Sequence, residues 1–92
     1  MGLYTIVCEF MGTTSVMQVS ASGGEAAAQA WTRQLRAEAL FGPSSGRVAG
    51  AVEESLLTLP PTPVAGVVKV WCLSTSCDGQ LCLANIVETN PL

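Results

Sequence analysis

Asp78-Gly79 stands between two apolar, β-prone runs, VVKVWCLSTSC before it and QLCLANIVET after it. A two-residue type I′ turn needs positive φ at both central residues, and Asp-Gly is among the strongest short-range signals for one. Residues 67–89 are therefore expected to close the chain as a β-hairpin. If Asp78 and Gly79 are the turn residues, Cys77 faces Gln80, Leu73 faces Ala84, Trp71 faces Ile86, Val70 faces Val87 and Lys69 faces Glu88. The Lys-Glu pair would add about 0.2–1 kcal/mol. A three-residue loop would shift this register by one, and both registers stay open at this point.

Both faces of this hairpin are apolar. Val68, Val70 and Cys72 point one way, and Trp71 and Leu73 the other. A half-exposed antiparallel strand alternates apolar with polar. The pattern predicts cover on both sides, helices on one and something else on the other.

Residues 3–21 read as a first hairpin about Gly12-Thr13. Pairing residues whose numbers sum to 25 sets Tyr4, Ile6, Cys8 and Phe10 against Ala21, Val19, Met17 and Ser15 as a core face. Ser22-Gly23-Gly24-Glu25 has capping-box form and opens a helix expected over 23–40. Ala27, Ala28, Trp31, Leu35 and Ala39 form its apolar stripe; Gln29, Thr32, Arg33 and Arg36 fall on the other side. Phe41-Gly42-Pro43 is expected to end it. Val48, Val52, Leu56 and Leu59 predict a shorter helix over 47–57, with Glu53 and Glu54 toward solvent. Pro60-Pro61-Thr62-Pro63 reads as a stiff extended connector, and Asn90–Leu92 as a short tail. The expected fold is one α+β domain over 1–92, ordered β-β-α-(α)-β-β, an antiparallel sheet with its helices on one face.

With 49% apolar and 12% charged residues, against roughly 25% charged in an average protein, the 92-residue chain is greasy for its size. That balance points to oligomerisation or a bound partner. A net charge of −3 with only four Lys plus Arg argues against nucleic acid, which needs a basic stripe. No apolar run reaches the length of a membrane span. Tyr4–Met17 carries Glu9 and alternates, unlike a secretory leader. Ile6 stands where a myristoylation motif needs Ser or Thr. The expected compartment is the cytoplasm.

The chain has no histidine, which removes the commonest general base and metal ligand. Cys72, Cys77 and Cys82 are spaced C-x4-C-x4-C, with Cys8 far off in sequence. Structural zinc sites favour tighter pairs. In the hairpin register Cys77 and Cys82 are diagonal neighbours, about 7–8 Å apart at Cα, too far for an unstrained disulfide. Small buried hydrophobes are their expected role, with Cys77, at the turn, the accessible thiol. Glu53 and Glu54 diverge on a helix and support no two-carboxylate mechanism. Gly42–Gly50 follows a helix and lacks the Lys-Ser/Thr ending of a phosphate loop. Arg33 and Arg36 offer either a grip on an acidic partner or an ordinary solvated face. No cofactor and no metal is implied.

Trp71 has two readings, a core aromatic under the helices or, with Leu73 and Ile86, an apolar patch on the uncovered sheet face. The second makes Trp71, Leu73 and Ile86 an interface for a second copy or another protein.

Tyr4–Phe10, the Gly12-Thr13 turn, Ser22–Glu25 with Trp31, Val70-Trp71-Cys72 and Asn85-Ile86-Val87 together resemble a family of short, uncharacterised bacterial proteins. The first hairpin and helix are also similar to HicB-type antitoxins, without their third strand and glycine-proline signature. Neither resemblance brings a site residue. The expected function is a small bacterial interaction module, homodimeric, of the immunity or antitoxin-like accessory kind, whose acidity suits a basic target. The alternative is a small thiol-dependent enzyme or redox protein using Cys77.

Overall fold

Asp78 (φ 52°) and Gly79 (φ 76°) both take the left-handed conformation, and the closing hairpin folds in the two-residue register. The computed structural model describes residues 1–89; the tail expected at Asn90–Leu92 lies outside them. Strand β1 runs Gly2–Phe10 and β2 Thr13–Ala21; helix α1 spans Gly24–Glu38 and α2 Ser45–Leu56. The chain ends with β3 (Thr62–Pro63), β4 (Val70–Cys77) and β5 (Gln80–Thr89). The strands form one antiparallel sheet in the order β2-β1-β5-β4-β3, an α+β fold with the first and last long strands side by side.

The first hairpin turns one residue earlier than its glycine-threonine pair predicts. Met11 (φ 50°) and Gly12 (φ 77°) occupy the positive-φ positions, so Tyr4 pairs with Val19, Ile6 with Met17 and Cys8 with Ser15. The physical reason is Thr13: a β-branched residue resists positive φ, which the unbranched Met11 tolerates better. Paired numbers therefore sum to 23. Moving the register by two leaves each side chain on its expected face, so Tyr4, Ile6, Cys8, Phe10, Ser15, Met17, Val19 and Ala21 are all buried.

Helix α1 starts at Gly24 behind an extended Gly23, with no side-chain cap, so the Ser22–Glu25 box does not form. It stops at Glu38, short of the expected end, because Ala39 takes the left-handed position (φ 50°) and its N–H returns to the Leu35 carbonyl. Gly42–Ser44 then makes a 3-10 turn leading into α2, which begins two residues before its expected start. Leu59 lies beyond α2 and is exposed. Thr32, expected on the solvent side, is buried and donates to the Gln29 carbonyl at 2.7 Å. The helices pack on each other, α1 chiefly over β2 and α2 over β4. Trp31, Leu35, Val48 and Val52 are wholly buried.

The proline-rich connector also contributes to the sheet. Thr62 pairs with Cys72 and Pro63 with Trp71, a two-residue edge strand of the kind that tolerates proline. Val67, Val68 and Lys69 leave the hairpin as an exposed loop. Lys69 has φ 62° and keeps its contact with Glu88 only as a backbone hydrogen bond of 2.9 Å to the Lys69 carbonyl.

Candidate functional site

The interface expected at Trp71, Leu73 and Ile86 is not on the open side of the sheet. Ile86 is wholly buried and Leu73 is 8% exposed, both on the helix-covered face. The register explains it: Ile6, Ile86 and Trp71 are consecutive partners across β1, β5 and β4, so they share one face, and Ile6 belongs to the core. Trp71 sits half-buried at the rim of that face. Its ring centre lies 6.0 Å from Tyr4, tilted by 50°, and its indole packs on Gly24. Burial, with the Glu88 carboxylate adding to it, raises the pKa of the Tyr4 phenol beside this aromatic pair.

The residues of opposite parity make up the other face. One row across β2, β1, β5 and β4 reads Val16, Val7, Asn85, Cys72. The next rows read Gln18, Thr5, Val87, Val70 and Thr14, Glu9, Leu83, Ser74. Both helices lie on the opposite face, and these side chains range from half-buried to open, Val16 reaching 61% exposure. Glu9 is the one charged side chain among the described outward positions of these four strands. The polar groups at one end bond to each other: Gln18 Nε2 donates to Thr5 Oγ1 at 3.0 Å, and Thr5 Oγ1 lies 2.5 Å from Thr89 Oγ1. At the other end a shallow cavity of about 300 Å³ opens between the two hairpin tips, lined by Glu9, Met11, Thr14, Leu81 and Leu83. The apolar doubling of the closing hairpin was the signal for this surface; it did not say which of the two faces the helices take.

The cysteines divide in the same way. Cys77 is 4% exposed, not accessible as its turn position predicted, because its side chain points in under α2 and away from the bend. Burial first, then the neighbouring Asp78 carboxylate, raises its thiol pKa, against a smaller opposite pull from Arg47. Arg47 Nε instead bonds Asp78 at 2.8 Å and ties α2 to the turn. A buried thiol with a raised pKa is a poor nucleophile. Cys72 lies half-buried in the open face. Cys8 and Cys82, distant in sequence, meet in the core with their sulfurs 3.4 Å apart. Their shared S–H···S contact raises the pKa of Cys8, with burial adding to it, and lowers that of Cys82 against its burial.

Arg36, read from sequence as either a grip on an acidic partner or part of a solvated face, makes a two-pronged ion pair with Glu53, one prong at 2.7 Å, and so links α1 to α2. Among the described residues no three Cys, Asp or Glu side chains converge as a metal site, and no helix is long and apolar enough to cross a membrane. Comparison with protein-family models, with curated proteins and with solved structures gives no match to this chain.

Proposed function

We propose that this chain is a protein-interaction module that self-associates, a second copy docking on the outer face of the sheet. One observation carries the reading: among the described residues nothing covers the face opposite the helices, which spans four long strands and holds Val7, Val16, Cys72, Leu83 and Val87 with Glu9 as its one described charge. Four strands spaced by about 4.8 Å, each about 30 Å long, present on the order of 600 Å². That is close to the roughly 800 Å² each partner contributes to a standard interface. A face with so little charge suits its own copy, since stacking two such faces about 10 Å apart desolvates few ions. Asn85 and the Thr5–Gln18 pair supply polar contacts beside the apolar rows.

Sedimentation equilibrium across a concentration series tests the proposal. A dimer is expected, and Val7→Lys at the centre of the face should dissociate it while the circular dichroism spectrum stays that of the folded chain. A monomer at all accessible concentrations would overturn the reading. So would a dimer that persists in both Val7→Lys and Val87→Lys.

A further inference from the structure

The first and last long strands, β1 and β5, are neighbours in the middle of the sheet and carry one cysteine each into the core. Cys8 stands opposite Ala84 and Cys82 opposite Phe10, so the two are diagonal partners on the helix-covered face. Both are wholly buried, their sulfurs are 3.4 Å apart, and 74 positions separate them in sequence. Neither lies on the docking face, so nothing said of that face depends on them.

We infer that Cys8 and Cys82 form a disulfide-forming site, one that closes in response to a small peroxide. A disulfide needs its sulfurs at about 2.05 Å. Diagonal partners ordinarily stand about 7–8 Å apart at Cα, beyond the span of an unstrained disulfide, so closing the gap from 3.4 Å takes a local drawing-together of β1 and β5 as well as a side-chain rotation. The other thiols are placed for different fates. Cys72 projects from the opposite face, and Cys77 lies at the far end of β4 beside the turn. The apolar, closed setting excludes bulky disulfides, and hydrogen peroxide reaches the pair only in the rare openings of these central strands, so the reaction is slow in the folded chain.

The reaction balances without a cofactor. The Cys82 sulfur attacks one peroxide oxygen and the O–O bond breaks; one water leaves and a sulfenic acid remains. The Cys8 sulfur attacks that sulfenic sulfur, the S–S bond forms, and the sulfenic hydroxyl departs with the Cys8 proton as a second water. Two electrons pass from the sulfur pair to the peroxide. The product joins both ends of the sheet and closes a loop over most of the chain, which restricts the unfolded state strongly.

The test treats the folded full-length chain with hydrogen peroxide at a dose that converts free cysteine to cystine. Intact mass is read first, then chymotryptic peptides under non-reducing conditions, since cleavage after Leu73 and Leu81 separates Cys72, Cys77 and Cys82. The expected result is the loss of two hydrogens, a peptide joining Cys8 to Cys82, and a rise in Tm on the order of 10 °C. Dithiothreitol should reverse all three, and the Cys72→Ser variant should behave identically. Oxygen addition without a crosslink, a crosslink through Cys72 or Cys77, or thiols that stay unreacted would overturn the inference.

Discussion

The Trp71 indole fills the space that a side chain at Gly24 would need. A methyl group built on Gly24 would come 3.0 Å from Trp71 Cδ2 and 3.1 Å from Cε2, whereas one on Gly23 would meet nothing within 4 Å. The start of α1 thus lies directly on the rim of β4, and Trp71, held also by Tyr4, is the wedge between them. Gly24→Val should cost about 1–3 kcal/mol by overpacking against a rigid ring. Gly23→Asp, at the extended cap position, should be neutral or gain a few tenths of a kcal/mol. Trp71→Ala should lower stability without changing the oligomeric mass, because its ring packs on the helix-covered side. Urea denaturation and sedimentation of the three variants check all of this, and a Gly24→Val protein as stable as the parent would show that the ring yields freely.

Local chemistry explains which parts of this arrangement were legible in the sequence. Asp78-Gly79 can adopt a type I′ turn with little strain, so the register of the closing hairpin followed from two residues. Met11-Gly12 makes the same turn with a residue seldom found at positive φ, so the register differs by two from the one that Gly12-Thr13 predicts. The core face survived because strand parity survives a shift of two. Trp71, Leu73 and Ile86 carry two readings in the sequence, core or open face, for a different reason. Both faces of their hairpin are apolar, and only the neighbouring β1, with Ile6 in the same row, decides which face the helices cover. The Cys8–Cys82 contact has the same origin, since it exists only through the β1–β5 pairing, which joins the two ends of the chain and has no local signature.

The Arg36–Glu53 pair should make the contact between the helices acid-sensitive. Its hydrogen bonds from Arg36 are the main reason Glu53 titrates below its ordinary value, partly offset by burial. A depressed carboxylate contributes stability at pH values above its unfolded pKa and loses it as pH falls through the folded one. The urea midpoints of the parent and of Glu53→Gln should therefore differ at pH 7 and converge toward pH 3. Both side chains are more than one-third exposed, so the difference at pH 7 should be modest and should shrink in high salt. A gap that persists at pH 3 would mean the glutamine disturbs packing and not charge.

Ser15 carries a buried hydroxyl with no hydrogen-bond partner among the described residues. It faces the core opposite Cys8, where an unpaired polar group costs about 1–3 kcal/mol of desolvation. Ser15→Ala removes the group and one small atom's worth of packing. It should raise stability by about 1 kcal/mol, a shift of several degrees in Tm for a domain of this size. A comparable loss in calorimetry would show that the hydroxyl satisfies a partner the fold depends on.

Cys72 should report on assembly directly. Alone among the four thiols it lies in the open face, while Cys8, Cys77 and Cys82 are 0–4% exposed. In dilute, monomeric protein, iodoacetamide should modify Cys72 first and leave the other three until the chain unfolds, since alkylation needs an accessible thiolate. If a second copy covers the outer face, the rate at Cys72 should fall as protein concentration rises through the dimer dissociation constant. Val7→Lys should restore the dilute rate at high concentration. Mass spectrometry of the alkylated peptides follows each site separately. A Cys72 rate that does not depend on concentration, in a sample shown by sedimentation to be dimeric, would move the interface off this face.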